Sequence, residues 1–198
     1  LPESSLRGRD ARIYVALAEL MHGALPPDRG PAYVWGDALE ICDACRADVR
    51  IVNLETAITA GGAPWPGKPI HYRMNPANLD VVSRAGIDFC ALANNHTLDF
   101  GHEGLTDTLE ALTESGIGHA GAGRDRAQAD APAVLELPGK GRVILVSMAM
   151  PSSGVPTTWA ATAERPGLNL VGATDEWFEV LQRQLAGLKR PGDLLVVN

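Results

Sequence analysis

The chain has 198 residues, 45% of them hydrophobic, with a formal net charge of −7 and an isoelectric point near 5.2. A chain of this size and apolar content can bury one substantial core, and its acidity argues against a duplex nucleic-acid partner, whose affinity comes largely from Lys and Arg on phosphates. No apolar stretch is long enough to span a membrane, and the first twenty residues lack the uninterrupted apolar run of a signal peptide.

Residues 10–22 place Ile13, Leu17, Leu20 and Met21 on one face at helical spacing, which predicts an amphipathic helix. A second helix is predicted over 36–47. It contains Cys42 and Cys45, whose Cys-x-x-Cys spacing has no second ligand pair and does not follow a strand, so both read as helix-flank thiols. Residues 48–55 read as a strand ending in polar Asn53 and Glu55. From Thr56 to Asn75 the chain is rich in Gly and Pro and exceeds an ordinary connection, making it a candidate substrate-facing loop that carries Trp65, Lys68, His71, Tyr72 and Arg73.

A helix over 76–85 leads into a strand over 87–93, where Cys90 is a packing residue. The loop Asn94-Asn95-His96 follows, with Asp99 close behind, and then a helix over 104–115 whose Leu105, Leu109 and Leu112 form its inner face. A short strand (117–120), the turn Gly121-Ala122-Gly123 and a short helix (124–129) come next. Two strands, 133–137 and 142–148, flank the hairpin-like turn Pro138–Gly141. A helix over 174–188 then feeds a strand at 193–198. The alternation of strands and helices, with no repeat, low-complexity tract or linker, predicts a single α/β domain over residues 1–198.

In open α/β sheets ligands bind beyond the carboxyl ends of strands, which is where Glu55 and the Asn94-Asn95-His96 loop fall. Adjacent parallel strands would bring these tips to one crevice. There Glu55 could bridge metal ions, the Asn95 side-chain oxygen could act as a hard ligand, and His96 could coordinate or transfer a proton, with Asp99 accepting the other imidazole N–H and fixing the tautomer. The same residue types also cap helices and fill turns, so the spacing alone leaves both readings open. Lys68, His71, Tyr72 and Arg73 form a candidate anion-binding strip, or else a solvated loop, and Trp65 is the tryptophan placed to meet substrate. Trp159 and Trp177 read as core or helix residues. Gly121-Ala122-Gly123 could cradle a phosphate, although such glycines more often make a turn. The run Pro151–Pro156 lacks nucleophile-elbow spacing and reads as a loop rimming the site.

Taken together, Asn53-Leu54-Glu55-Thr56, Lys68-Pro69-Ile70-His71-Tyr72-Arg73, Ala93-Asn94-Asn95-His96-x-x-Asp99-x-Gly101, Gly121-Ala122-Gly123 and Trp159-Ala160-Ala161, in that order, resemble the CapA family of poly-γ-glutamate and capsule biosynthesis proteins. The likeness runs from about Tyr33 to the end. It implies a calcineurin-like metallophosphatase fold, a layered sheet with flanking helices. The resemblance also implies a divalent metal pair (Mn, Fe or Zn) with Glu55 and Asn95 as ligands, His96 oriented by Asp99 as the catalytic or phosphate-contacting imidazole, and Asn53 as local support. The implied substrate is anionic, a phosphate ester, poly-γ-glutamate or a related group, held by Lys68 and Arg73. Family members also carry an opening strand ending in Gly-Asp and a later His-Trp-Gly segment that this sequence lacks, so the domain is expected to be incomplete at both ends. The rival expectation is a non-catalytic accessory that holds a polyanionic chain for a synthesis or export complex. Members can be membrane-anchored outside the cell, whereas three cysteines suit a reducing compartment slightly better.

Overall fold

The computed structural model describes residues 9–26, 29–172 and 176–198. The first predicted helix forms as α1 (Arg9–His22), but its apolar positions lie outside the core: Ile13 and Leu17 are half exposed and Leu20 is 79% exposed. A 3-10 turn at Tyr33–Trp35 precedes α2 (Ala38–Ala44), which is shorter than predicted and seated by buried Leu39. Cys42 and Cys45 are free thiols on and just past this helix.

Next comes β1 (Ile51–Asn53). The stretch 56–75 is not one loop, because β2 (Ala57–Ile58) and β3 (Arg73–Met74) pair in parallel near its two ends. Pairings of two residues carry no periodicity for a sequence to display. The helix predicted over 76–85 is split into a 3-10 turn at Pro76–Asn78, capped by the Asn75 side chain, and α3 (Asp80–Arg84). Then follow β4 (Phe89–Ala91), α4 (Gly101–Glu114), β5 (Gly118–Ala120), β6 (Ala122–Gly123) and α5 (Arg126–Asp130). The hairpin expected around Pro138–Gly141 is present as β7 (Ala133–Leu137) and β8 (Gly141–Val146), paired antiparallel. The chain closes with β9 (Gly167–Leu168), α6 (Glu176–Leu185) and β10 (Leu194–Val197). The first residues of the helix predicted over 174–188 lie outside the described residues.

Two three-stranded sheets organise the molecule. The first is wholly parallel in the order β1-β4-β5, and the second, in the order β10-β8-β7, joins a parallel pair to the hairpin. Side-chain alternation along β4 separates two cores, since successive residues of a strand point to opposite faces. Cys90, and Leu92 just beyond the strand, face a cluster containing Leu105, Leu109 and Leu112 of α4, whereas Phe89 faces a second cluster with Ala120 and Leu145 that draws in Ile51 and Val196. The first sheet is therefore sandwiched between α4 and the second sheet. Buried Cys90 is packing, as expected, and desolvation pushes its thiol up to about 12. Mixed α/β architecture with parallel strands is thus what the structure contains. Among the described residues no helix is long and apolar enough to cross a membrane.

Candidate functional site

Because β1 and β4 are parallel and in register, with Asn53 opposite Ala91, both chains leave the sheet at the same edge. A run of hydrogen bonds joins the two tips. Asn94, buried, donates from Nδ2 to Asn53 Oδ1 at 3.1 Å and to the Leu54 carbonyl at 2.9 Å. Asn53 in turn donates to Glu55 Oε1 at 2.8 Å. On its other side Asn94 Oδ1 accepts the His96 N–H at 3.0 Å and lies 3.1 Å from the Thr97 hydroxyl oxygen, whose single proton is directed to the nearer Leu92 carbonyl. Glu55 and His96 thus belong to one polar network, with Glu55 exposed and His96 buried. Sequence reasoning gave Asn94 no role of its own; the doublet of Asn residues at a strand end was the available signal. Asn95 is half-buried, and Gly154 of the Pro151–Gly154 turn comes close enough that a Cβ there would lie 3.7 Å from its Nδ2, so this segment does rim the site.

His96 and Asp99 lie within one tight turn. Nδ1 of His96 is 2.8 Å from Asp99 Oδ2 and 3.0 Å from Lys68 Nζ. A carboxylate only accepts and an ammonium only donates, so the two contacts demand opposite roles of Nδ1. We assign the Nδ1 proton to the shorter contact with Asp99, which leaves the lone pair of the neutral ring on Nε2. Lys68 forms its ion pair with the other carboxylate oxygen, Oδ1, at 2.6 Å. Tyr72 donates its backbone N–H to Asp99 Oδ2 at 2.6 Å, and its ring stacks on the imidazole with centroids 4.1 Å apart and planes at 24°.

Trp65 is half-buried, edge-on to Trp159 and to His102, and Trp159 itself is fully buried in the core. His71 donates from Nε2 to the Trp65 carbonyl at 2.9 Å. Arg73, on β3, holds its guanidinium carbon 4.9 Å from the Phe100 ring centroid. Burial, and secondarily the charge of Arg165, pushes the His102 imidazole below its usual range against a backbone hydrogen bond to Pro166. The side-chain positions of Gly121 and Gly123 are filled by neighbours: a Cβ at Gly121 would sit 2.6 Å from Ser147 Oγ, and one at Gly123 would sit 2.3 Å from the Ala129 nitrogen. Those glycines serve close packing within a turn. Ser147 was missed by the sequence reading; its buried hydroxyl accepts the Ala93 N–H and donates to Asn198 Oδ1, both at 3.2 Å.

Carboxylate, amide and imidazole suit a divalent ion in kind. In number they fall short, because an ion takes about four to six donors and no group of three His, Cys, Asp or Glu poised to hold one occurs among the described residues.

Comparison with known proteins supplies the context for this geometry. Residues 12–198 match the family model described as bacterial capsule synthesis protein PGA_cap. A probable polyglutamine synthesis accessory protein of Mycobacterium tuberculosis is 43% identical over 192 residues, 96% of this chain and 50% of that protein. An uncharacterized protein of Sinorhizobium fredii is 36% identical over 77% of this chain and 36% of its own length. The capsule biosynthesis protein CapA of Bacillus anthracis is 36% identical over 58 residues, 29% of this chain and 14% of that protein. The chain thus spans about half the length of its mycobacterial relative and less of the others. With nearly its whole length matched by the family model, this chain belongs to the bacterial capsule synthesis protein PGA_cap family.

Proposed function

We propose that this chain forms part of a divalent-metal-dependent hydrolytic centre of the calcineurin-like metallophosphatase type, acting on an anionic group during capsule or polyglutamate synthesis. The observation that supports it most is the network linking Glu55 through Asn53 and Asn94 to His96, with the imidazole held by a buried carboxylate. Glu55 and Asn95 are the proposed oxygen ligands, and a bound Mn, Fe or Zn would activate water or polarise the substrate. Asp99 accepts the hydrogen bond from Nδ1–H, which keeps that proton on the ring, so an imidazolium held there would pass its Nε2 proton to a leaving oxygen and end neutral, and a group so placed contributes about 100- to 10,000-fold in rate. The substrate, a phosphate ester or a polyglutamate chain, would meet the loop that carries Trp65, His71, Tyr72 and Arg73.

A second reading, a non-catalytic accessory that holds a polyanionic chain, is favoured by the word accessory in the mycobacterial relative's name and by the short donor set. One experiment separates them. The full-length protein is analysed for metal and assayed on a panel of phosphoesters and γ-glutamyl peptides, alongside His96→Ala and the pair Glu55→Gln and Asn95→Ala. The hydrolytic reading expects stoichiometric metal, its loss in the double variant, and a fall in turnover of at least about 100-fold in His96→Ala. Polyglutamate binding with no metal and no turnover would establish the accessory reading instead.

A further inference from the structure

Lys68 sits in the connection between β2 and β3, where a surface lysine would ordinarily be solvated. Its ammonium instead turns inward, 2.6 Å from Asp99 Oδ1 and 3.0 Å from the Ile70 carbonyl, and only 14% of its side chain is exposed. Asp99 is fully buried, with Oδ2 hydrogen-bonded by the Tyr72 N–H and by His96 and its backbone carbonyl by the Trp65 N–H at 2.8 Å, whereas Oδ1 has no hydrogen bond and is met only by the Lys68 charge. Both ends of the segment Trp65–Tyr72 therefore hang on one residue, and that residue also holds the imidazole. A buried carboxylate needs a counter-charge, since the penalty for leaving it uncompensated is large. Lys68 is the ammonium that meets it here.

From this we infer that Lys68 is a positioning residue for His96, and not a cation offered to substrate. By pairing with Asp99 it lets one carboxylate clamp the loop over the strand tips, keep the Tyr72 ring on the face of the imidazole and fix the ring's orientation. Without Lys68 the carboxylate draws in water, the loop lifts at Tyr72, and the ring stack opens. A substrate-binding lysine in the same place would have to abandon both partners each time substrate arrived. The kinetic consequence of this inference rests on the hydrolytic reading above; its structural consequence does not.

The test is nuclear magnetic resonance of the ligand-free protein. Stacking beneath Tyr72 shifts the carbon-bound protons of His96 upfield, and Tyr72→Leu identifies the part of that shift due to the ring. In Lys68→Met the shift is lost and the Tyr72 amide exchanges at least about tenfold faster, while Lys68→Arg restores both. Unchanged shift and exchange in Lys68→Met overturn the inference. If Lys68→Met does not fold, the wild-type protein decides: ammonium protons of Lys68 protected from exchange support the inference, and protons exchanging as fast as those of exposed Lys189 overturn it. Should the full-length protein turn over a substrate, Lys68→Met lowers kcat roughly 10- to 100-fold with KM unchanged. A raised KM with kcat intact marks a substrate-binding lysine and defeats the inference. Because the resonance readouts need no substrate, failure of the hydrolytic reading leaves them standing.

Discussion

Asn94 spends both amide donors on the join between two strand tips, at Asn53 Oδ1 and the Leu54 carbonyl, while its oxygen accepts the His96 N–H within its own loop. Deleting the amide leaves the buried His96 N–H without a partner, which costs about 1–3 kcal/mol, and also removes the ties to the half-buried Leu54 carbonyl and to exposed Asn53, which water can replace in part. Asn94→Ala is accordingly expected to destabilise by roughly 2–4 kcal/mol in denaturant unfolding. Asn94→Asp is expected to be no milder, because a carboxylate would then confront two oxygens. Asn95→Ala should stay within about 0.5 kcal/mol, being half-buried and outside that network. Equal effects at 94 and 95 would show that the network does not join the tips. The doublet was legible in the sequence as a polar strand end, but which amide turns inward depends on how the chain bends after β4. That bend involves Thr97, whose hydroxyl donates back to the Leu92 carbonyl, a pairing between residues that no spacing rule flags.

At the level of elements, legibility followed length and periodicity. The inner face of α4 was readable because Leu105, Leu109 and Leu112 repeat at helical spacing, and the β7/β8 hairpin because two apolar runs flank a Gly-rich turn. The pairs β2/β3 and β6/β9 were hidden, since two residues make no pattern. The apolar face of α1 was visible, yet periodicity tells only that a face exists, and the core begins with Leu39. One tie between elements has a pH signature. Arg142, at the start of β8, grips Asp193 just before β10, through Nε to Oδ1 at 3.0 Å and Nη2 to Oδ2 at 2.5 Å. That hydrogen-bonded guanidinium, helped by the Arg190 N–H, holds the Asp193 carboxyl down at about 2. The folded value lies below the unfolded value of about 3.9, so this group's contribution to stability is complete above about pH 4 and disappears as pH falls towards 2. Asp193→Asn is expected to lower the melting temperature at pH 7 and to flatten its fall between about pH 4 and pH 2. A wild-type acid limb retained in the variant would assign that limb to other carboxylates.

Across the whole molecule, the two sheets meet not only through Phe89, Ala120 and Leu145 but also at the ends of their strands, and Gly121 marks that meeting point. It follows β5 directly, has a φ of +92°, and lies against Ser147 beyond β8 and Ala93 beyond β4. A methyl group there would come within 2.8 Å of Ala93 Cβ and closer still to Ser147. Backbone on both sides is pinned, because the Ser147 hydroxyl accepts the Ala93 N–H and the Gly121 carbonyl accepts the Asn169 N–H at 2.9 Å. Neither neighbour can give way without moving a strand end, and Ala93 is the residue before Asn94. Gly121→Ala is therefore expected to cost about 2–4 kcal/mol through overpacking and a left-handed alanine, and to broaden or shift the His96 resonances by displacing the strand end. Gly139→Ala is the matched control. Gly139 has a similar positive φ of +74°, but nothing lies within 4 Å of where its Cβ would go, so only the backbone penalty of about 1 kcal/mol applies. If the two variants prove equally mild, the strand ends are free to slide past one another, and the site does not depend on the two sheets being fixed at this corner.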